Sequence, residues 1–329
     1  MKAEEILSAF PKLKALVVGD ICLDRWCTYD PATSEPSRET GIPRIGVVSS
    51  QPTPGGGGTV CNNLAAMGAG EVAALGVRGK DGFGFELEQA LAERGIAAER
   101  MVKVQGWQTF TYTKLLNSQT GDEDQPRVDF ISTRRLPKEA EQRVIDNLIS
   151  AVPDFDVILI ADQAETNAGG VVTPAVRDCL IDLAGRYVQK VFLADSRKRV
   201  HLFRKMILKP NRDEAEAASR SLLGKVDFPT LRRKLETKTL IVTHGPKGAL
   251  VIEDCKETWA ETRHVEKPVD ICGAGDSFAA ACALALAVTG DPVAAARLGN
   301  LAASVTIMKK GTGTASREEI LAVQKGLSA

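Results

Sequence analysis

The sequence is poor in the residues that build metal centres and disulfide frameworks. Only three histidines (His201, His244, His264) occur in 329 residues, and the seven cysteines, at 22, 27, 61, 179, 255, 272 and 282, include no C-x-x-C pair. Zinc sites and disulfide scaffolds need clustered partners, so neither is expected. Reduced thiols, most of them buried as small hydrophobes, fit a cytoplasmic protein. Net charge is also missing: 42 basic side chains offset 42 acidic ones. That balance argues against a chain-wide surface for nucleic acid or anionic membrane. The longest apolar window, 278–288, spans 11 residues, whereas a bilayer span needs roughly 20. The opening Met1-Lys2-Ala3-Glu4-Glu5 is acidic and leads into no apolar stretch, so no secretory leader is expected. No G-x-G-x-x-G follows the first strand-like run, which disfavours a dinucleotide fold and the oxidoreductases built on it. No G-x4-G-K-[S/T] occurs, which excludes a P-loop. Internal repeats, low-complexity tracts and Pro/Ser-rich linkers are absent too.

What is present is an ordinary globular composition, 44% hydrophobic and 26% charged, enough to build a sizeable core and incompatible with wholesale disorder. Its length suits two domains or one large α/β domain. Short Val/Ile/Leu runs at 13–18, 156–160, 191–193 and 240–243 read as strands buried on both faces. Between and after them lie helical patterns at about 60–68, 84–94, 137–151, 173–188, 212–221 and 229–236. Alternating strand and helix is the mark of a mostly parallel sheet covered on both sides, an α/β/α three-layer sandwich. Acidic residues just past several strand ends (Asp20, Asp162, Asp195) stand where ligands bind in such sheets. Two regions, about 25–54 and 104–133, break the rhythm with Thr, Val, Ile and Tyr punctuated by Pro and Gly. Thr109 to Leu115 alternates like a half-exposed strand. These regions are expected to leave the main sheet and form a small β lid on one α/β domain spanning 1–329. Exposed lid edges also offer a surface for a homodimer.

The strongest chemical signal is Asp270-Ile271-Cys272-Gly273-Ala274-Gly275-Asp276, followed at once by an apolar helix reaching about Val288. Bare glycine backbone at a helix start points unpaired N–H groups outward, at the positive end of the helix dipole. The result is an anion hole with the Asp276 carboxylate beside it. Such a carboxylate is suited to take a proton from a hydroxyl that attacks phosphorus; as the alternative, Asp276 merely stabilises the helix start. A second signal is Pro54-Gly55-Gly56-Gly57-Gly58-Thr59, running on to Asn63. Four glycines in a row suit a polar ligand lying on bare backbone, or a flexible loop. Third, Asn211 and Glu214 share a helix face and could hold hydrated Mg²⁺ with its phosphates, or form a capping box. Val242 to Gly248 reads as a strand and tight turn, a hairpin signal in which His244 is a packing residue. Gly299-Asn300-Leu301 opens a small-residue helix ending near Lys309.

In this order and spacing the pieces resemble the ribokinase-like (PfkB) family of carbohydrate kinases over nearly the whole chain. The resemblance also takes in Gly19-Asp20 through Asp24 and Gly79 to Gly84. Within that family the chain is most similar to the kinase domain of the heptose 7-phosphate kinases. Leu23-Asp24-Arg25, Ser37-Arg38-Glu39 and Arg127-Val128-Asp129-Phe130 carry that likeness. The nucleotidyltransferase domain that accompanies it there is not expected here.

The resemblance implies ATP- and Mg²⁺-dependent phosphorylation of a sugar or sugar phosphate, with no nucleic-acid or membrane partner. It gives Asp276 the role of base and Gly273, Ala274 and Gly275 that of anion hole. It puts Asp24, Gly55, Gly56, Thr59 and Asn63 on the sugar side. Asn211, Glu214, Thr243, Gly245, Gly248 and Asn300 fall on the nucleotide side, with Glu214 reaching the metal through water. A nucleoside kinase of the same fold, or a non-catalytic sugar or nucleotide sensor, is the alternative. Three departures stand out. Thr59 replaces an Asn, Cys272 a Thr, and Gln163-Ala164-Glu165-Thr166 follows Asp162 where the heptose kinases carry Tyr-x-Lys-Gly. Loss of that lysine would weaken recognition of a phosphorylated sugar. Arg197 keeps one cation after the third strand.

Overall fold

A computed structural model describes residues 1–164, 169–254 and 256–326. The chain opens with α1 (Ala3–Ala9), β1 (Lys14–Gly19), β2 (Ile21–Tyr29), β3 (Val47–Gly56) and α2 (Gly57–Ala66). There follow β4 (Glu71–Leu75), β5 (Val77–Gly79), α3 (Gly82–Ala92), β6 (Val102–Val104), β7 (Thr111–Asn117), β8 (Val128–Phe130) and α4 (Lys138–Ala151). Next come β9 (Val157–Asp162), α5 (Pro174–Arg186), β10 (Val191–Ser196), β11 (Ile207–Leu208), α6 (Arg212–Leu223) and α7 (Phe228–Lys234). The last elements are β12 (Leu240–Thr243), β13 (Ala249–Glu253), β14 (Lys256–Ala260), α8 (Ala274–Thr289), α9 (Pro292–Thr306) and α10 (Arg317–Gln324).

The main sheet has eight strands in the order β14-β13-β12-β11-β10-β9-β1-β4, all running the same way except β13, which is antiparallel to both its neighbours. Its strands alternate between two cores. On β1, Ala15 and Val17 pack with α2 and α8 on one face, while Leu16 and Val18 pack with α4 and α5 on the other. This is why the strands read as unbroken apolar runs: neither face meets water. The architecture is the expected α/β/α sandwich.

A second sheet, β3-β2-β7-β8, stands apart from the first and forms the lid. It takes in more chain than the sequence suggests, because β2 starts at Ile21 and β3 runs on to Gly56. β1 hands over to β2 across Gly19 and Asp20 without a loop. Gly19 has φ +136°, and a Cβ there would lie 2.2 Å from the Ala161 carbonyl oxygen, so only glycine fits the crossing. The four-glycine stretch is not a loop either: Gly55 and Gly56 end β3, and Gly57 and Gly58 open α2.

The helix expected to open at Gly299 instead begins seven residues earlier, at Pro292. Asp291 caps it by accepting from the Val293 and Ala294 N–H groups, an N-cap followed by N1 proline. Among the described residues no helix is long and apolar enough to cross a membrane. The six described cysteines are unpaired, four of them buried; Cys255 lies outside the described residues.

Candidate active site

Parallel pairing brings the carboxyl ends of β1, β9, β10, β11 and β12 to one edge of the sheet, and polar residues gather just past them. Asp20 follows β1 and is buried. Its Oδ2 accepts from the Gln163 and Ala164 N–H groups and its Oδ1 from that of Val171, each at 2.8 Å. The segment after β9 is thus tied to the end of β1. Asp162 closes β9 and is held by Arg199 and by the Ser196 hydroxyl at 2.6 Å. Asp195 near the end of β10 meets the buried Lys209, just past β11, at 2.9 Å.

α8 starts at this edge. Its N-cap, Gly273, adopts φ +79°, a left-handed turn that favours glycine. Ser277 to Leu286 are buried, so the helix is a fixed support. Of the N–H groups expected in the anion hole, that of Ala274 makes a 3.3 Å turn bond to the Ile271 carbonyl. Those of Gly273, Gly275 and Asp276 have no protein acceptor among the described residues. The N–H groups left open at the start of α8 are therefore those of 273, 275 and 276.

Asp276, in the first turn, faces a cleft also lined by Asp24, Gly56, Thr59, Gln163, Arg197, Cys272 and Gly273. Its Oδ1 accepts from Gln163 Nε2 at 3.1 Å. Burial, then the negative charge of Asp195, push its pKa up to about 7, against the pull of Lys209, the Gln163 hydrogen bond and Arg197. Lys209 keeps its charge although burial opposes it, because Asp195 more than offsets that cost. Cys272 is half-buried at the mouth, its thiol pushed up by burial.

Asp24 projects from β2 toward the same cleft, and burial raises its pKa to about 6 despite Lys114, Arg127 and Arg197. Gly55 and Gly56 let β3 close on it: a Cβ on Gly55 would lie 2.2 Å from Asp24 Oδ1. Three lid side chains complete the wall. Lys114 sits 4.3 Å from the Trp26 ring centroid, Arg127 packs 4.8 Å from that of Tyr112, and Arg25 pairs with Glu86 at 2.9 Å. Both carboxylates thus share one cleft with Lys114, Arg127 and Arg197. Asn63 does not join them. It is buried in α2, and its Nδ2 donates back to the Thr59 carbonyl at 3.0 Å.

Just past β11 and at the end of β12, Asn211 and Thr243 meet in an isolated parallel bridge. Asn211 and Glu214 form the capping box: Oδ1 accepts from the Glu214 N–H at 2.9 Å, and Glu214 Oε2 accepts from the Asn211 N–H at 2.8 Å. The two readings of this pair are compatible, since the box leaves the other carboxylate oxygen out of its bonds. Burial, opposed by the Asn211 bond, raises the Glu214 pKa. No cluster of three or more metal-ligating side chains exists among the described residues. The donor set fits a metal that arrives with polyphosphate and keeps most of its water.

The turn at Gly245 (φ +55°) and Gly248 (φ +92°) joins β12 to β13, as the hairpin signal suggests. A Cβ on Gly248 would lie 2.3 Å from the Ala260 carbonyl oxygen, to which Asn300 Nδ2 donates at 2.8 Å. Asn300 also donates to the Glu261 carbonyl at 3.2 Å, so its NH₂ group fastens the end of β14. His244 packs edge-on against Trp259, centroids 4.9 Å apart.

The structure thus gathers Asp24, Gly56, Thr59, Gly273 and Asp276 into one cleft and sets Gly55 behind Asp24. Asn211 and Thr243 adjoin at the next strand ends. Sequence reading passed over Gln163, Lys209 and Lys114 as site residues. The lysine absent after Asp162 has counterparts in charge on the lid. Glu165 and Thr166, part of that departure, lie outside the described residues.

The chain is 30% identical over 328 residues to the bifunctional protein HldE of Trichlorobacter lovleyi, covering 97% of this chain and 64% of that one. It therefore spans less than two thirds of that relative's length. Among solved structures, a ribokinase from Thermotoga maritima superposes with TM-score 0.71 at 23% identity, covering 95% of this chain and 99% of that one. Phosphofructokinase-2 from Escherichia coli superposes with TM-score 0.70 at 18% identity, covering 96% and 99%. These likenesses show a shared fold. The sequence pattern of the pfkB family carbohydrate kinases matches residues 13–319, and the chain belongs to that family.

Proposed function

We propose that the chain transfers the γ-phosphoryl group of ATP to a hydroxyl of a phosphorylated sugar. One observation carries this reading: Asp24 and Asp276 open into a single cleft whose wall also bears Lys114, Arg127 and Arg197. A carboxylate such as Asp24 binds sugar hydroxyls, and the cations suit a phosphate already on the substrate. The motif likeness to heptose 7-phosphate kinases makes a heptose phosphate the first substrate to assay.

In this scheme Asp24 and the bare backbone of Gly55 and Gly56 orient the sugar. One hydroxyl points at Asp276. Its proton passes to the Asp276 carboxylate as the oxygen bonds to the γ-phosphorus and the bond to the ADP oxygen breaks. The products are ADP and the sugar bearing one more phosphate. The free N–H groups at the start of α8 stabilise negative charge on the transferring oxygens. Glu214 would hold ATP-bound Mg²⁺ through water, and the metal supplies charge neutralisation on the phosphates. Closure of the lid over the sugar keeps water from taking its place.

The test is ATP consumption, with and without Mg²⁺, across free sugars, sugar phosphates and nucleosides. The expected result is Mg²⁺-dependent turnover confined to sugar phosphates. Lys114→Ala and Arg127→Ala should raise the KM of that substrate about tenfold or more and leave the KM of ATP little changed. Preference for nucleosides, or equal use of sugars with and without phosphate, would contradict the reading.

A further inference from the structure

Gln163 touches the candidate base and is itself held on three sides. Its backbone N–H donates to Asp20 Oδ2 at 2.8 Å, and the residue is only 7% exposed. Its Oε1 accepts from an Arg197 guanidinium nitrogen at 3.4 Å, and its Nε2 donates to Asp276 Oδ1 at 3.1 Å. A guanidinium can only donate, so the amide oxygen must face Arg197 and the NH₂ must face Asp276.

Two other helices show where an acidic residue at this position can turn, in one of them with a lysine (Lys309) on its other oxygen. In α6, Glu214 bonds back to the N-cap N–H of Asn211 at 2.8 Å; in α10, Glu319 does the same to Ser316 at 2.8 Å. Asp276 holds the equivalent third position of α8, yet no side chain caps that helix and the Gly273 N–H is unbonded. The carboxylate is turned to Gln163 instead. Falling back on Gly273 would occupy both the base and a donor of the anion hole.

We infer that Gln163 is the positioning residue of the base: its amide grips Oδ1 of Asp276, presents Oδ2 to the sugar hydroxyl and keeps the Gly273 N–H open for phosphoryl oxygen. This inference rests on the reading of Asp276 as base. Other groups face the carboxylate as well: Asp195 from β10, Lys209 past β11, Arg197, and Cys272 ahead of α8. The Gln163 N–H favours the ionised carboxylate, so its loss must move the titration of Asp276 upward.

The test uses Gln163→Leu and the near-isosteric Gln163→Glu, with Asp276→Asn alongside. The Asp276 carboxyl is followed by ¹³C NMR of aspartate-labelled protein and assigned by its absence in Asp276→Asn. Activity is read as the single-turnover rate with ATP and the preferred substrate of the panel above. Both Gln163 variants should titrate at higher pH than wild type, Gln163→Glu furthest because a second carboxylate replaces the donor. The single-turnover rate of Gln163→Leu should fall about 10²-fold, with the KM of ATP within about twofold. A carboxyl titration not raised in either variant overturns the inference, whatever their rates, since loosened packing would admit water and lower it. Full turnover by Asp276→Asn refutes the base itself. An inactive Asp276→Asn with titrations not raised refutes only the role of Gln163.

Discussion

Gly55 and Asp24 approach so closely that a β-carbon on the glycine would lie 2.2 Å from Oδ1 of the carboxylate. β3 can lie against the sugar-side acid only because it has no side chain there. The Asp24 carboxylate is the end of a short rotatable side chain, so an added methyl displaces the acid before it displaces backbone. Gly55→Ala should therefore raise the KM of the sugar substrate at least about tenfold while the KM of ATP holds. Steady-state kinetics with each substrate varied in turn checks this, and equal changes in both constants would point to general distortion.

The raised carboxylates set a pH dependence. Asp276 must be ionised to accept a proton, and burial lifts its pKa to about 7. kcat/KM should fall about tenfold per unit below that value. The slope should steepen below about 6, where Asp24 also takes up a proton. A profile flat from pH 8 to 5 would exclude both assignments.

Stability should move the other way. The ordinary aspartate value is 3.8, against about 7 for Asp276 in the fold. Between the two the folded chain holds a proton that the unfolded chain lacks, so this group's contribution worsens as pH rises through the window. Asp276→Asn removes that dependence. It should melt higher than wild type at pH 8, by roughly 2 °C or more, and close to wild type at pH 4.

Lys209 and Asp195 form a buried pair 2.9 Å apart, next to the start of α8. Lys209→Met leaves Asp195 without its cation and should cost about 3 kcal/mol of unfolding free energy. The double variant Lys209→Met/Asp195→Asn should recover most of it. Denaturant titration of the four proteins of the cycle gives the coupling directly. Additive losses would mean that the pair contributes nothing to the fold.

The parts of the fold legible in the sequence are those where one physical demand dominates. β1 and β9 feed alternate residues into two dry cores, so they carry unbroken apolar runs. Gly273 stands at a positive φ ahead of a helix with ten consecutive buried residues, and both features are written locally. β4 is harder to read because Glu71-Val72-Ala73-Ala74-Leu75 has little strand propensity and takes its pairing from β1. Asn300 lies in the middle of α9 because the cap that starts the helix, Asp291, stands nine residues earlier, directly after Gly290, the left-handed residue that ends α8.

The site divides in the same way. Gly55 and Asp276 announce themselves by glycine and acid at short range, whereas Asp24 is picked out only by the family resemblance. Gln163 does not: its partner Asp276 is 113 residues away, and only the meeting of the end of β9 with α8 gives the amide a purpose. Lys209 and Lys114 likewise acquire their surroundings from strands distant in sequence. Asn63 has the right residue type in the right motif, but its helix turns the amide inward to the Thr59 carbonyl.

The most direct measurement is single-turnover phosphoryl transfer by Asp276→Asn at pH 8, with ATP binding measured on the same sample. Asn keeps the shape and the contact with Gln163 but cannot take the hydroxyl proton. The expected outcome is unchanged ATP affinity with a rate lower by about 10²-fold or more. Turnover within a few-fold of wild type would mean that the proton leaves by another route and that Asp276 is not the base.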